Sequence, residues 1–154
     1  MQTIIVFIDD ADYAIKLLQP MLPQQTHGAT RWVLVGCAPR VTRHISRFVT
    51  QSARAGWRDS WADKVFARVT PQLQNQARPM DTVITQIAPP RQSLCDLTSA
   101  LTNQYSAHQV LDARRPKLGQ DLQPVTPTQK RESNRATGYA AAFAGAGLLV
   151  GLDG

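Results

Sequence analysis

Ile4-Ile5-Val6-Phe7-Ile8-Asp9-Asp10-Ala11-Asp12-Tyr13-Ala14 is the stretch that decides the fold. Five apolar residues in succession, most of them β-branched, do not alternate with polar ones. Such a run reads as a strand covered on both faces, the condition of a central strand in a parallel sheet. Asp9 and Asp10 stand at its carboxyl end. Asp12 is placed to cap a helix whose apolar residues Ala14, Ile15, Leu17, Leu18, Met21 and Leu22 recur at helical spacing before Pro23.

The rest of the chain repeats this alternation. Trp32 to Cys37 reads as a second strand, closed by Pro39. From Val41 to Gln76 the spacing is helical, with an interruption expected near Gly56. The first half would bury Val41, Ile45, Phe48 and Val49. The second half, capped by Asp59, would bury Trp61, Ala62, Val65, Phe66, Val69 and Leu73. Thr82 to Ile87 is a third strand ended by Pro89 and Pro90, Ser93 to Tyr105 a short helix, and His108 to Asp112 a fourth strand. Strands alternating with helices of this length make right-handed βαβ units. The expected fold is therefore α/β, a three-layer α/β/α arrangement on a mostly parallel sheet of about four strands in the order 3-2-1-4.

Residues 1–113 would form this domain. Residues 114–137, with Pro116, Pro124, Pro127, Lys130, Arg131 and Arg135, have linker composition. Residues 138–154 form an apolar segment rich in Ala and Gly, expected as a helix. It is shorter than the roughly 20 residues needed to span a bilayer, and so suits protein contact or a membrane surface. Gly147 and Gly151 are spaced as GxxxG, which permits close helix contact.

Lys and Arg number 17 against 11 Asp and Glu, a formal charge of +6 with a sequence pI of about 9.9. That balance favours anionic partners such as nucleic acid, an acidic lipid surface or a nucleotide, and equally serves solubility alone. Cys37 and Cys95 are far apart and lie near no pair of histidines, which argues against a zinc site or a disulfide scaffold and fits a reducing compartment. The apolar run after Met1 lacks a basic flank and runs into two aspartates, so it reads as a strand and not as a signal peptide. The expected location is the cytoplasm, or the inner face of a membrane if residues 138–154 act as an anchor.

The segment Ile4 to Ala14 resembles the first strand and turn of the universal stress proteins, in which an apolar strand runs into an aspartate, one or two small residues, a further acid and the first helix. The strand order and the long region between strands two and three are similar too, and the likeness covers about residues 3–113. The resemblance implies a nucleotide site at the carboxyl ends of strands one and four. Asp9, with Asp10 beside it, would contact the ligand, and Val35 would lie beside the base. Ligands of open α/β sheets do bind where the strand order reverses. The family's glycine-rich phosphate loop after strand four is replaced here by Asp112-Ala113-Arg114-Arg115-Pro116-Lys117-Leu118-Gly119. Proline removes a backbone donor and one glycine offers little freedom, so a triphosphate cradle is weakened or lost. Arg114 and Arg115 could hold an anion by side chain instead. No cofactor is expected; ATP is the one the resemblance would bring.

Three other features of the sequence bear on function. Asp9, Asp10 and Asp12 could begin a metal-dependent nuclease site, but Asp112 is the single further carboxylate after a strand, so neither a metal site nor catalytic residues are assigned. Arg40, Arg43, Arg47, Arg54 and Arg58 fall within an arc of about 60° on one unbroken helix, a stripe that would suit nucleic acid or the ordinary solvent face. Trp57 and Trp61, at i and i+4, suit core or subunit packing. Together these point to a non-enzymatic binding or regulatory protein of the stress-response type, acting as a homodimer or through other protein contacts. The nucleic-acid stripe and the membrane-surface tail are the alternatives.

Overall fold

The protein's structure is a computed structural model describing residues 1–22, 28–39, 49–76, 81–116, 123–129 and 149–151. Its elements are β1 (Gln2–Ile8), α1 (Ala11–Leu18), β2 (Thr30–Gly36), α2 (Gln51–Gln76), β3 (Thr82–Ile87), α3 (Leu94–Tyr105), β4 (Gln109–Ala113) and β5 (Leu149–Gly151). The sheet order is β3-β2-β1-β4-β5. The first four strands are parallel in the expected order, and β5 pairs antiparallel with β4.

Because β1 is central, both its faces are covered. Ile4, Val6 and Ile8 pack with Trp32 and Leu34 of β2 beneath α1 and α2, which bring Ala14, Leu18, Ala62, Val65, Val69 and Leu73. Ile5 and Phe7 point the other way, with Val33 and Val35, beneath Leu94, Leu97 and Leu101 of α3. All five residues Ile4 to Ile8 are fully buried. The continuous apolar run thus follows from two cores sharing one strand, and the β3-to-β4 crossover on the opposite face from α1 and α2 puts the switch in strand order between β1 and β4.

Local features differ from the sequence reading in several places. Asp10, not Asp12, caps α1: its backbone is extended and its Oδ2 accepts the amide of Tyr13 at 3.0 Å. Asp12 lies in the first turn and pairs with Arg68 of α2 across the surface. The helix ends at Leu18, short of Leu22, just before Pro20. α2 is unbroken through Gly56 and Asp59. Its N-terminal cap is Thr50, whose Oγ1 accepts the amide of Ala53 at 3.2 Å. A single glycine costs a helix about 1 kcal/mol, less than the packing of the long apolar row behind it. At Gly36, by contrast, the missing side chain is required, since a Cβ would stand 3.1 Å from Cζ of Phe66 and 3.3 Å from Cζ3 of Trp61.

Residues 149–151 are a strand where an apolar helix was expected, and residues 138–148 lie outside the described residues. Residues 123–129, read as linker, pack on the α3 face, with Val125 and Thr126 each 1% exposed. Among the described residues no helix is long and apolar enough to cross a membrane.

Candidate functional site at the ends of β1 and β4

The carboxyl ends of β1 and β4 are adjacent, since Ile8 lies beside Ala113 in the sheet register. Asp9 and Asp10 therefore face the chain leaving β4 at Arg114 and Arg115. The structure brings together four of the five residues expected at a nucleotide site. Val35, the fifth, is fully buried in the α3-side core and presents no surface to a base.

Asp9 is 7% exposed, and its Oδ1 accepts the backbone amide of Arg115 at 2.9 Å. Nε of Arg115 also lies 3.6 Å from that oxygen, and its Nη1 lies 3.9 Å from Oδ1 of Asp10. The amide nearest the switch point, the kind of donor that would meet a phosphate, is thus held by a carboxylate of the chain itself.

Arg114 is committed more fully. Side chains on a strand alternate in direction, so Asp112 and Arg114 leave the chain toward the same side. The guanidinium grips Asp112 in a fork, Nε to Oδ1 and Nη2 to Oδ2, both at 2.8 Å, and Nη2 also donates to the carbonyl of Gln123 at 2.7 Å. Both side chains are nearly closed to solvent, at 5% and 11% exposure. Burial acts to lower the Arg114 pKa, but the hydrogen bond and charge of Asp112 outweigh it and hold the guanidinium above its ordinary value. Gln129 completes the network: its Nε2 donates to Oδ2 of Asp112 at 3.1 Å, and its Oε1 accepts the amide of Val125 at 2.8 Å. Cys95 of α3 donates to the carbonyl of Pro124 at 3.3 Å. Residues 123–129 are thereby strapped over the end of β4.

Cys37, just after β2, belongs to the same neighbourhood. Burial pushes its thiol from 9.0 up to about 12; Arg114 pulls it down, and Asp112 and Asp9 push it further up. The group stays protonated throughout the neutral range. In a Cys95→Ser variant at pH 8, Ellman's reagent is expected to leave Cys37 essentially unreacted in the folded protein and to label it within minutes in urea. Equal rates in both states would show that the thiol is open to solvent and unshifted.

The sequence reading missed Cys37, Asp112 and Gln129 as members of this cluster. The Asp112-Ala-Arg114 spacing on a strand was the available signal for the first pair, whereas Gln129 carried none. Among the described residues, no cluster of three or more His, Cys, Asp or Glu side chains is placed to hold a metal ion.

Of the arginine stripe, Arg54 and Arg58 lie within the described residues. Arg40, Arg43 and Arg47 lie outside the described residues. Arg54 and Arg58 are half-buried and continue, at spacings of four, the row that contains Ala62, a buried residue of the core. The phase inferred from Val41, Ile45 and Phe48 put them opposite the core. The unbroken helix puts them on the core-facing row, while Trp57 points outward at 44% exposure. Comparison of the chain with protein-family models, with curated proteins and with solved structures gives no match in any of the three.

Proposed function

We propose that the protein is a non-enzymatic, universal-stress-like binding protein whose switch-point crevice serves the fold, and that it acts through contacts with other protein chains. The observation that carries this reading is the engagement of the donors around Asp9. The Arg115 amide is taken by Asp9, and the Arg114 fork is taken by Asp112 and Gln123. A triphosphate needs several converging N–H groups and a net positive surround. Here it would meet three carboxylates, Asp9, Asp10 and Asp112, against the two guanidiniums that already pair with them. Proton-transfer or nucleophilic chemistry draws no support from a protonated Cys37.

Isothermal titration of the purified protein with ATP and magnesium tests the reading. Binding weaker than about 1 mM is expected, a free energy of no more than about 4 kcal/mol. Tight, magnesium-dependent binding that Asp9→Ala abolishes would overturn it.

A further inference from the structure

The contacts proposed above have no surface assigned to them, and the outer edge of the sheet at β3 has the properties to supply one. Among the described residues nothing pairs with that edge. The amide of Ala88 donates to the carbonyl of Gly36 at 2.9 Å, so Ala88, Gln86 and Ile84 direct their backbone groups to β2. By the alternation of a strand, Val83, Thr85 and Ile87 direct their N–H and C=O groups outward. Natural sheets blunt such an edge with charge, proline or a bulge. Thr82-Val83-Ile84-Thr85-Gln86-Ile87 carries none of these and is half-exposed along its length.

We infer that β3 is a homodimer interface, in which two copies pair antiparallel about a two-fold axis through Thr85 and join their sheets into one. Resting on the reading that the protein works by chain-to-chain contact, this names the partner as a second copy. The strand itself selects that partner. In an antiparallel ladder, residues directly opposite share a face of the sheet and, in every second pair, exchange both hydrogen bonds. Centring the pair on Thr85 sets Val83 against Ile87 of the other copy and Thr85 against its own equivalent. Every outward donor and acceptor from Val83 to Ile87 is then used, whereas a shift of the axis in either direction leaves some unpaired. The same register places an apolar pair on each side of a Thr–Thr pair, a favourable cross-strand combination. No like charges meet in the paired strands, because β3 has no charge.

Strand pairing alone covers less than the roughly 800 Å² per partner of a stable interface. The remainder has to come from the neighbouring surface. An open groove of about 460 Å³ lies between α2 and β3, walled by Asp63, Phe66, Ala67, Thr70 and Pro71 and floored by Val83 and Thr85. Since Thr85 lies on the axis, the grooves of the two copies become continuous there, and the α2 helices flank a shared trough with Phe66, Ala67, Pro71 and Val83 in its lining and one Asp63 from each copy in its walls, a like-charge pair that salt also screens. With a chain charge of +6 the copies repel at long range, and salt screens that repulsion. An interface without ion pairs therefore persists or tightens as salt rises.

Sedimentation equilibrium of the full chain, at 50 mM and 500 mM sodium chloride, tests the inference with Thr85→Pro and Thr85→Lys. The Thr85 amide takes no part in the β2 ladder, so proline there removes an outward donor while the monomer's own hydrogen bonds stay intact. Lysine places two like charges on the axis. The wild type is expected to be a dimer at both salt concentrations. Both variants should weaken dimerisation by at least about tenfold, with far-UV circular dichroism and melting temperature close to wild type. If the proline variant fails to fold, the lysine variant decides. A monomeric wild type, a dimer dissolved by salt, or folded variants that dimerise as tightly as the wild type would each overturn the inference. ATP titration reads a different surface, so the two tests fail independently.

Discussion

Replacing Arg114 by methionine is expected to lower the unfolding free energy by about 3–5 kcal/mol, a large share of the roughly 5–15 kcal/mol that holds a domain of this kind together. Methionine fills much of the same volume, so the loss comes from what it leaves behind. Asp112, at 11% side-chain exposure, would keep a carboxylate whose remaining partners are Gln129 and the backbone amide at position 114. The carbonyl of Gln123 would lose the Arg114 Nη2 donor. An uncompensated buried charge is costly because the desolvation of both ions was offset only by their mutual attraction. The double variant Arg114→Met with Asp112→Leu removes the charge together with its partner and should recover most of the loss. Urea denaturation of the two variants provides the measurement. A single-variant cost below about 1 kcal/mol would mean that water already reaches the pair.

The second large effect concerns the gradient across the sheet. Phe7→Ala, in the fully buried centre of β1, is expected to cost about 3–5 kcal/mol, from lost transfer energy and from a cavity that α3 cannot collapse to fill. Ile84→Ala, on the half-exposed edge strand, should cost about 1 kcal/mol, since much of its side chain stays in water in either state. Chemical denaturation with an unchanged slope would attribute both values to the folded state. Equal costs would show that the edge is covered in solution. For Ile84 that result would also agree with pairing through β3, so the comparison is best made at a concentration where the chain is monomeric.

The same gradient explains what could be read from the residues alone. The parallel sheet and its order were legible because Ile4 to Ile8 and Trp32 to Val35 are buried on both faces and so carry an unbroken apolar signal. α3 was legible from Ser93 and three leucines at helical spacing. The strap at residues 123–129 was not, because one buried valine among prolines and polar residues looks like linker. Its order comes from Asp112, Arg114 and Cys95, remote in sequence. The choice between Asp10 and Asp12 as the cap depended on a backbone angle that either residue could have adopted. β5 was hidden because three residues suffice to pair with β4, too few to set a period. At the site, the strand order placed Asp9 and the chain leaving β4 at one switch point, without pairing Asp9 with Arg115. It could not show that Asp9 takes the backbone amide of Arg115, a contact between residues 106 apart in sequence.

α2 has a further consequence through its length. Its 26 residues extend about 39 Å, against about 23 Å for the seven-residue strands it covers. Trp61 already stands over Gly36, the last residue of β2, so the turns before it overhang the sheet like eaves beyond a wall. Among the described residues those turns are held by the helix ladder, the Thr50 cap and the half-buried Arg54 and Arg58, and they contain Gly56, around which space is open. Melting should therefore begin at this end and travel toward Trp61, where the aromatic contact with β2 brings it to a stop.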